Sequence, residues 1–478
     1  MRLLPLLEYQ HLTDGHAHLR QGGVDPVVDV AVVQTSELGD RSYIAHDGHV
    51  AIVVDPQRDL DRLQTVLHER GLRCAMVLET HIHNDYVSGG LQLAHQHDAP
   101  YAVNAADEVA FERHGVADGD ELSVGGMRVR VVATPGHTDT HLAFVISGGP
   151  GPAAVFTGGC LLYGSVGRTD LVDPARTEEL TRAQYRSAHR LVDLLDDDAR
   201  IFPTHGFGSF CSAGSSSGGE DSTIGQERAR NDAFTATNED TFVAQLVAGL
   251  TAYPAYYAFM GARNRAGAGP VDLSAPQQVS PAELRERISA GEWVVDLRDR
   301  TAYAAEHLVG TISIALSQQF ATYLGWLIPW GIPLTLIGET PQQITDAQRQ
   351  LVRIGIDRPD GAATGRLRDL ADGVATHSYR RITFAGLAAA QQAGEALTLL
   401  DVRRADERAL GAIPGSVHIP LHCLLDRLGD VPPGPLAVHC ASGFRAGIAA
   451  SLLDRAGRDV VHIDDEYAVA VTAGQATG

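Results

Sequence analysis

Cysteine is scarce in this 478-residue chain: Cys74, Cys160, Cys211, Cys423 and Cys440 are few, odd in number and scattered. Such a set does not make a disulfide scaffold. A reducing cytoplasm is the expected setting, and there a single well-placed cysteine can be catalytic. Positive charge is also short, with 38 basic against 59 acidic residues and a formal net charge of −21. Nucleic acid and anionic membrane both recruit clustered cationic side chains, so neither is expected as the main partner. No uninterrupted apolar run reaches the roughly 18 residues of a membrane span. The opening MRLLPLLEYQHLTDG has only a brief apolar stretch before polar residues and reads as a poor signal peptide.

What is present is ordinary for a globular protein: 44% of residues are hydrophobic and 20% charged. The length fits about three domains. The first half alternates short β-branched runs with helical patterns. VAIVVDP (50–56) reads as a strand, DLDRLQTVLHERG (59–71) as a helix closed by Gly71, and CAMVLET (74–80) as a second strand. MRVRVVATPGH, AAVFTGG and ARIFPTHG repeat the scheme, each a strand that ends in a polar turn. This is an α/β pattern with its chemistry at strand C-termini.

A Gly/Ser-rich loop (211–225) follows, and GARNRAGAGPVDLSAPQQ looks like a linker at 263–278. Beyond it lies an internal repeat. WVVDLRDRTAYAAEHLVGTISIAL and TLLDVRRADERALGAIPGSVHIPL align with Asp296 on Asp401 and Gly310 on Gly415, at the same spacing in both. PLTLIGE aligns with PLAVHCA, which sets Gly338 opposite Cys440. The period is too long for a solenoid and fits two copies of one small α/β domain, at 279–372 and 378–474.

In ETHIHNDYVSGG, His81, His83 and Asp85 sit at alternate positions directly after a strand. Alternate residues of an extended segment point the same way, and imidazoles with carboxylates suit zinc or iron. Further strand ends supply His137, His205 and the pair Arg168 and Asp170. Several strand ends carrying such residues make a constellation. His16 and His18 have no strand before them and read as solvated surface.

THIHNDYVSGG, TPGHT, FTGGCLL, GRTDL and FPTHG, in that order, resemble the metallo-β-lactamase fold over residues 27–262. GRTDL and the Gly/Ser loop resemble its persulfide dioxygenase branch, including fusions with rhodanese domains. The resemblance implies an αββα sandwich with metal between its two sheets. It also implies one Fe(II) held by two His and one Asp, and oxidation of a low-molecular-weight persulfide to sulfite; from the ligand types the expected cofactor is one Fe(II) or Zn(II). The implied ligand positions are His81, His137 and position 159, where this chain has Gly. Tyr86 stands where the family often has a second-metal His. Three readings stay open: a three-His set of His81, His83 and His137, Asp85 as a substitute carboxylate, or a fold kept without metal. Sub-stoichiometric metal is the expectation, raised by Gly159→Asp if that side chain faces the pocket. Arg168 and Asp170 either bind a substrate carboxylate or pair internally. Cys160 reads as a small buried apolar residue.

PLAVHCASGFRAGIAASLLDRAG reads as strand, loop and helix, with Cys440 opening the loop and Arg445 closing it. Backbone N–H groups, the helix N-terminus and Arg445 would favour a nucleophilic thiolate. With LLDVR and IPGSVHIP upstream, the stretch resembles a rhodanese domain, which implies sulfur transfer from thiosulfate or a persulfide. The first copy, with Gly338, lacks the nucleophile, and its YLGWLIPWGIP segment is core or an interdomain contact. The expected whole is a cytoplasmic sulfur-metabolism enzyme of α/β class: an N-terminal sandwich followed by two rhodanese-like domains. Rival readings are a glyoxalase II-like thioester hydrolase and a non-catalytic sulfur-binding scaffold. The sequence leaves a homo-oligomer open.

Overall fold

The computed structural model describes residues 27–213 and 221–477. The opening segment, His16 and His18, and the middle of the Gly/Ser loop lie outside the described residues.

Two sheets face each other in the first half. One has six strands in chain order, Asp29–Thr35, Asp40–His46, Val50–Val54, Arg73–Leu78, Tyr101–Asn104 and His114–Val116. The other runs Arg200–Pro203, Ala154–Gly158, Leu142–Ser147, Met127–Ala133, Glu121–Val124. In Met127–Ala133 the period of two is plain, since Met127, Val129 and Val131 are buried while Arg128 and Arg130 are exposed. Inner-face residues of both sheets, among them Tyr43, Ile52, Leu78, Val129, Phe144 and Phe156, form one core. Outside the first sheet, Leu63 and Leu67 of helix Asp61–Glu69 and Leu93 of helix Gly90–His97 pack on Ile44 and Val53. Outside the second, Leu191 of helix Thr177–Asp193 and Phe242 of helix Glu239–Gly249 pack on Val132 and Val155. The layering is αββα. Strands Met127–Ala133, Ala154–Gly158 and Arg200–Pro203 run in one direction, so the turns after them open at one edge of their sheet.

The second half holds two parallel sheets of one plan. The first has the order Ile312–Ser313, Trp293–Asp296, Leu334–Gly338, Gly361–Thr364. The second has the order Val417–His418, Thr398–Asp401, Leu436–His439, Val460–Ile463, with Arg380–Ile382 at the far edge. Gln278 takes that edge position in the first sheet by a parallel bridge to Ala362. The register agrees with the sequence repeat. Asp296 lies opposite Ile337 and Asp401 opposite His439, so the next residues, Gly338 and Cys440, are equivalent. Each buried aspartate is held by the arginine two residues on, Asp296 by Arg298 at 2.7 Å and Asp401 by Arg403 at 2.8 Å. Gly310 and Gly415 both have positive φ, at 92° and 79°.

The three units are not beads on a string. Helix Tyr257–Ala266 crosses the boundary expected at 262/263, and Asp272 and Ser274 of the expected linker are fastened by Gln348 at 3.1 Å. One apolar core joins Val87, Tyr256 and Met260 to Leu324 and Trp326 and on to Val402 and Cys440. Helix Phe320–Leu327 is wholly buried, and a Cβ on Gly325 would fall 2.6 Å from the Tyr256 ring; only glycine permits that approach. Trp326 meets Phe210 edge-on at 5.0 Å and stacks on His422 at 5.0 Å, while Trp330 stacks on Phe259 at 4.5 Å. Trp326 is therefore core and interdomain contact at once, while half-buried Trp330 packs at the edge of that core.

Asn264 ties this joint to the histidine loop. Its side-chain amide donates to the carbonyls of His83 and Tyr86, both at 2.8 Å, and accepts from Ser88 N at 2.9 Å. Asn264→Ala leaves these buried groups unpaired, so a loss of about 1–3 kcal/mol is expected, read as a lower midpoint of chemical denaturation. An unchanged midpoint would show that water replaces the amide at no cost.

Candidate functional site

The turns after four strands meet between the sheets. His81 and His83 follow Arg73–Leu78, His137 follows Met127–Ala133, Gly159 follows Ala154–Gly158, and His205 follows Arg200–Pro203. His81, His137 and His205 are buried and offer nitrogen atoms that all lie within 4.8 Å of one another. His81 Nε2 and His205 Nε2 are 3.3 Å apart.

Each of these rings is turned by its other nitrogen. His137 Nδ1 lies 2.6 Å from the Arg168 carbonyl, an acceptor only, so the proton belongs on Nδ1. His81 Nδ1 lies 2.9 Å from Thr80 Oγ1, whose hydroxyl donates to Asp55 Oδ2 at 2.7 Å. His205 Nδ1 faces Asp40 Oδ1 at 3.0 Å and Asp85 Oδ2 at 3.1 Å. The three Nε2 atoms are thereby turned toward a shared partner, and a cation that displaces the His205 proton would find three lone pairs. Burial and the neighbouring imidazoles hold His81 well below its ordinary value, and burial with the His205 charge holds His137 at about 3. Neutral imidazole is the ligand form. At His205 burial is outweighed by the Asp85 and Asp40 carboxylates, which push it up to about 10 without a cation present. The donor set fits one zinc or iron ion.

His83 does not join this set. Its Nε2 sits 3.1 Å from Glu79 Oε1, 3.4 Å from Asp55 Oδ1 and 2.9 Å from Tyr86 Oη. Burial lowers its pKa, but Asp55 and Glu79 lift it to about 9. Its Nδ1 is buried without a hydrogen-bond partner among the described residues, and with Asp85 and His205 it makes a second group of possible ligands beside His81, His137 and His205. Both Asp85 oxygens are likewise buried without a hydrogen bond, Oδ2 lying 3.1 Å from His205 Nδ1.

Gly159 also differs from expectation. A Cβ there would lie 2.3 Å from His137 Cδ2 and 2.6 Å from its Cγ. The His137 ring already fills the space a side chain at 159 would need. The backbone around it is fixed, with Gly159 N donating to His141 Nε2 at 2.9 Å and Gly159 O accepting from Gln184 Nε2 at 3.0 Å.

Arg168 and Asp170 form the internal pair. Arg168 is 1% exposed, binds Asp170 through Nε at 2.7 Å and Nη2 at 2.8 Å, and donates to the carbonyls of Phe210 and Thr251 at 3.0 and 2.8 Å. Its guanidinium is spent on loops, which corrects the substrate-binding reading of both residues. Burial pushes the Cys160 thiol up to about 12, in keeping with an inert core residue.

Asp40, Asp55, Glu79, His141 and Gln184 complete the centre and were missed in the sequence. Asp55, at φ 50°, ends VAIVVDP, and His141 ends TPGHTDTH; only a polar residue at a strand terminus marked either of them. A cavity of about 400 Å³ opens alongside, lined in part by Ile82, Asn84, Thr138, Tyr257 and Arg265.

The second centre lies in the last domain. Cys440 is 1% exposed and follows strand Leu436–His439. Helix Phe444–Arg455 aims its first turn at the sulfur, and Ala446 N donates to Sγ at 3.4 Å. Gly443, at φ 82°, makes the turn; a Cβ there would lie 2.2 Å from Asp464 Oδ1. His462 Nε2 fixes the loop by donating to Gly443 O at 2.8 Å. Arg445 is held by Glu407 at 2.5 and 2.7 Å. It shares a small pocket with Arg404, His422 and, from the first copy, Tyr323 and Trp326. The equivalent turn in the first copy has no thiol, and its helix begins at Pro341.

Among the described residues, no helix is long and apolar enough to cross a membrane. Residues 41–205 match the metallo-beta-lactamase superfamily and residues 383–468 match the rhodanese-like domain. The human persulfide dioxygenase ETHE1, mitochondrial, is 27% identical over 44% of this chain and 75% of its own. A hydroxyacylglutathione hydrolase of Halorhodospira halophila is 34% identical, the match covering 34% of this chain and 60% of the hydrolase. The crystal structure of a metallo-beta-lactamase from Staphylococcus aureus superposes with a TM-score of 0.63 at 28% identity, covering 71% of this chain and 99% of that one. The shared architecture therefore extends past residues 41–205, and the chain is a metallo-beta-lactamase-fold protein, similar to persulfide dioxygenases, joined to a C-terminal rhodanese domain.

Proposed function

We propose that this protein is a sulfur-metabolism enzyme that moves sulfane sulfur at Cys440 and handles a low-molecular-weight persulfide at a single-metal centre in the N-terminal sandwich. The observation that carries the reading is the Cys440 turn, with a buried sulfur at the N-terminus of a twelve-residue helix and a backbone N–H 3.4 Å from it. Such a turn stabilises thiolate and persulfide anions by N–H groups and the helix dipole. The thiolate attacks the outer sulfur of thiosulfate, the S–S bond breaks, and sulfite leaves with the electron pair. Cys440 is left as a persulfide, whose outer sulfur passes to an acceptor thiolate. Arg445, paired with Glu407, and Arg404, paired with Asp406, line the pocket that admits the anion and can donate hydrogen bonds there.

In the sandwich, His81, His137 and His205 are the residues that would hold the ion. When bound, iron there supplies the activation of O₂ needed to oxidise a persulfide to sulfite. The protein's own part is to keep the three Nε2 atoms bare through Arg168 O, Thr80 and Asp40, and to offer the adjoining cavity to the substrate. Likeness to hydroxyacylglutathione hydrolases favours thioester hydrolysis as a second reading. That chemistry commonly uses a second metal, and here His83 is caged by Glu79 and Asp55, and Tyr86 hydrogen-bonds it at 2.9 Å.

Cys440→Ser abolishes thiosulfate:cyanide sulfur transfer and leaves the circular dichroism spectrum unchanged, while single serine variants of Cys74, Cys160, Cys211 and Cys423 keep most activity. Mass spectrometry after thiosulfate treatment finds one added sulfur on Cys440; finding it on another cysteine overturns the assignment. Gly338→Cys in the Cys440→Ser background stays inactive, because the first copy lacks the Gly-turned cradle.

For the metal centre, His205→Ala lowers bound iron to background, and Asp40→Ala lowers iron affinity about 10–100-fold because the His205 ring loses the carboxylate that orients it. His83→Ala keeps the ion. Gly159→Asp lowers metal content, because its Cβ displaces His137. Metal analysis with oxygen uptake on glutathione persulfide checks the set; full occupancy in His205→Ala, or higher occupancy in Gly159→Asp, would show that the ligands are others.

A further inference from the structure

Outside both centres, a third group of potential ligands joins the two C-terminal copies. His307 lies in the short strand His307–Leu308 of the first copy, His377 in the strand Thr376–His377 of the connector that pairs with it, and Asp454 on helix Phe444–Arg455 of the second copy. One ligand atom from each lies within 4.8 Å of the others. His307 Nε2 is 3.0 Å from Asp454 Oδ2, and His377 Nδ1 is 2.7 Å from Asp454 Oδ1. His307 and Asp454 side chains are 0% and 6% exposed, while that of His377 is 55% exposed.

The buried ring is set as a ligand would be. His307 Nδ1 lies 2.8 Å from the Tyr303 carbonyl, which places a proton on Nδ1 and turns Nε2 to Asp454, where a cation could take the place of the proton between them. The Tyr303 ring stacks on His307 at 4.0 Å with 4° between planes, and its hydroxyl is anchored on Thr311 O at 2.8 Å. A histidine fixed by a backbone carbonyl on Nδ1, with Nε2 turned to a carboxylate that can share an ion with it, has the orientation of a metal ligand. A second feature is independent of the cluster. Tyr379, its ring 5.5 Å from His307, has a buried hydroxyl with no hydrogen-bond partner among the described residues. A hydroxyl left so is costly unless a ligand or its water meets it.

We propose that His307, His377 and Asp454 form a binding site for one zinc ion that clasps the two C-terminal copies together. Two neutral imidazoles and one carboxylate are a three-ligand zinc set, and exposure on the His377 side leaves the fourth position to water. The ion would bind the first copy, the connector and the second copy in one contact. Asp454 lies next to the last residue of the helix whose first turn cradles Cys440, so the clasp also holds that helix against the first copy, whose Tyr323 and Trp326 line the Cys440 pocket.

The test uses the full chain, stripped of metal and dialysed against dilute zinc, with zinc per chain measured by mass spectrometry for the parent, His377→Ala, Asp454→Asn and His81→Ala. His377→Ala removes an exposed side chain and leaves the fold in place, and Asp454→Asn keeps the shape of the buried one. Each of these two variants is expected to hold one zinc fewer than the parent while retaining the ion of the sandwich. His81→Ala is expected to retain the clasp ion, and His377→Ala/His81→Ala to lose both. Zinc should raise the thermal midpoint of His81→Ala and not that of His377→Ala/His81→Ala. Equal zinc content in the parent, His377→Ala and Asp454→Asn would overturn the proposal and leave the cluster as an ion pair only.

Discussion

Charge that is buried at the strand ends of the N-terminal sandwich has to be paired, and that pairing decides which histidines are free to bind a metal. Asp40, Asp55, Glu79 and Asp85 are all buried between the sheets. An unpaired carboxylate there costs several kcal/mol. His83 meets the charge of Glu79 and Asp55, and His205 meets that of Asp40 and Asp85. The consequence differs for the two rings. His83 gives its Nε2 to the carboxylates and is left with a buried, unpartnered Nδ1. His205 gives its Nδ1 and keeps Nε2 for the centre. Asp55 also accepts from Thr80 N and Thr80 Oγ1, both at 2.7 Å, and so orients His81 through the threonine. One set of buried carboxylates thus holds the strand ends together and selects the donor set.

A glycine where a carboxylate ligand is expected fits this economy of charge. With four carboxylates already behind the histidines, a neutral inner set of three imidazoles places the cation among anions one shell further out. The glycine also makes room for the His137 ring, which lies against Gly159 and Gly167.

The second organising feature is the joint between units. A helix without a catalytic partner of its own, Phe320–Leu327, fills the space between the sandwich and the last domain with Tyr323 and Trp326. Phe210 from the sandwich and His422 from the last domain close on the same tryptophan. The unit without the thiol therefore still forms a wall of the Cys440 pocket and packs against the sandwich.

The strands, the helices between them and the internal repeat were legible in the sequence because they rest on local pattern: alternating Met127, Val129 and Val131, the helical spacing of Leu63 and Leu67, and the matched Asp296 and Asp401; the αββα layering came from the resemblance to the metallo-β-lactamase fold. Cys440 and its Gly-containing turn were legible for the same reason, since the cradle is made by neighbours in the chain. His81, His137 and His205 announced themselves as polar residues at strand ends. Which of them share an ion was not local. The orientation of His83 depends on Asp55, which lies 28 residues before it, and that of His205 depends on Asp40, from the opposite sheet. Arg168 looked available until Phe210 and Thr251 closed over it. His307, His377 and Asp454 come from three separated segments and carry no common motif. Sequence determines the strands and the turns that end them; only the packing of the sheets and copies decides which side chains meet, because burial brings charges together from distant points of the chain and each must then find its partner.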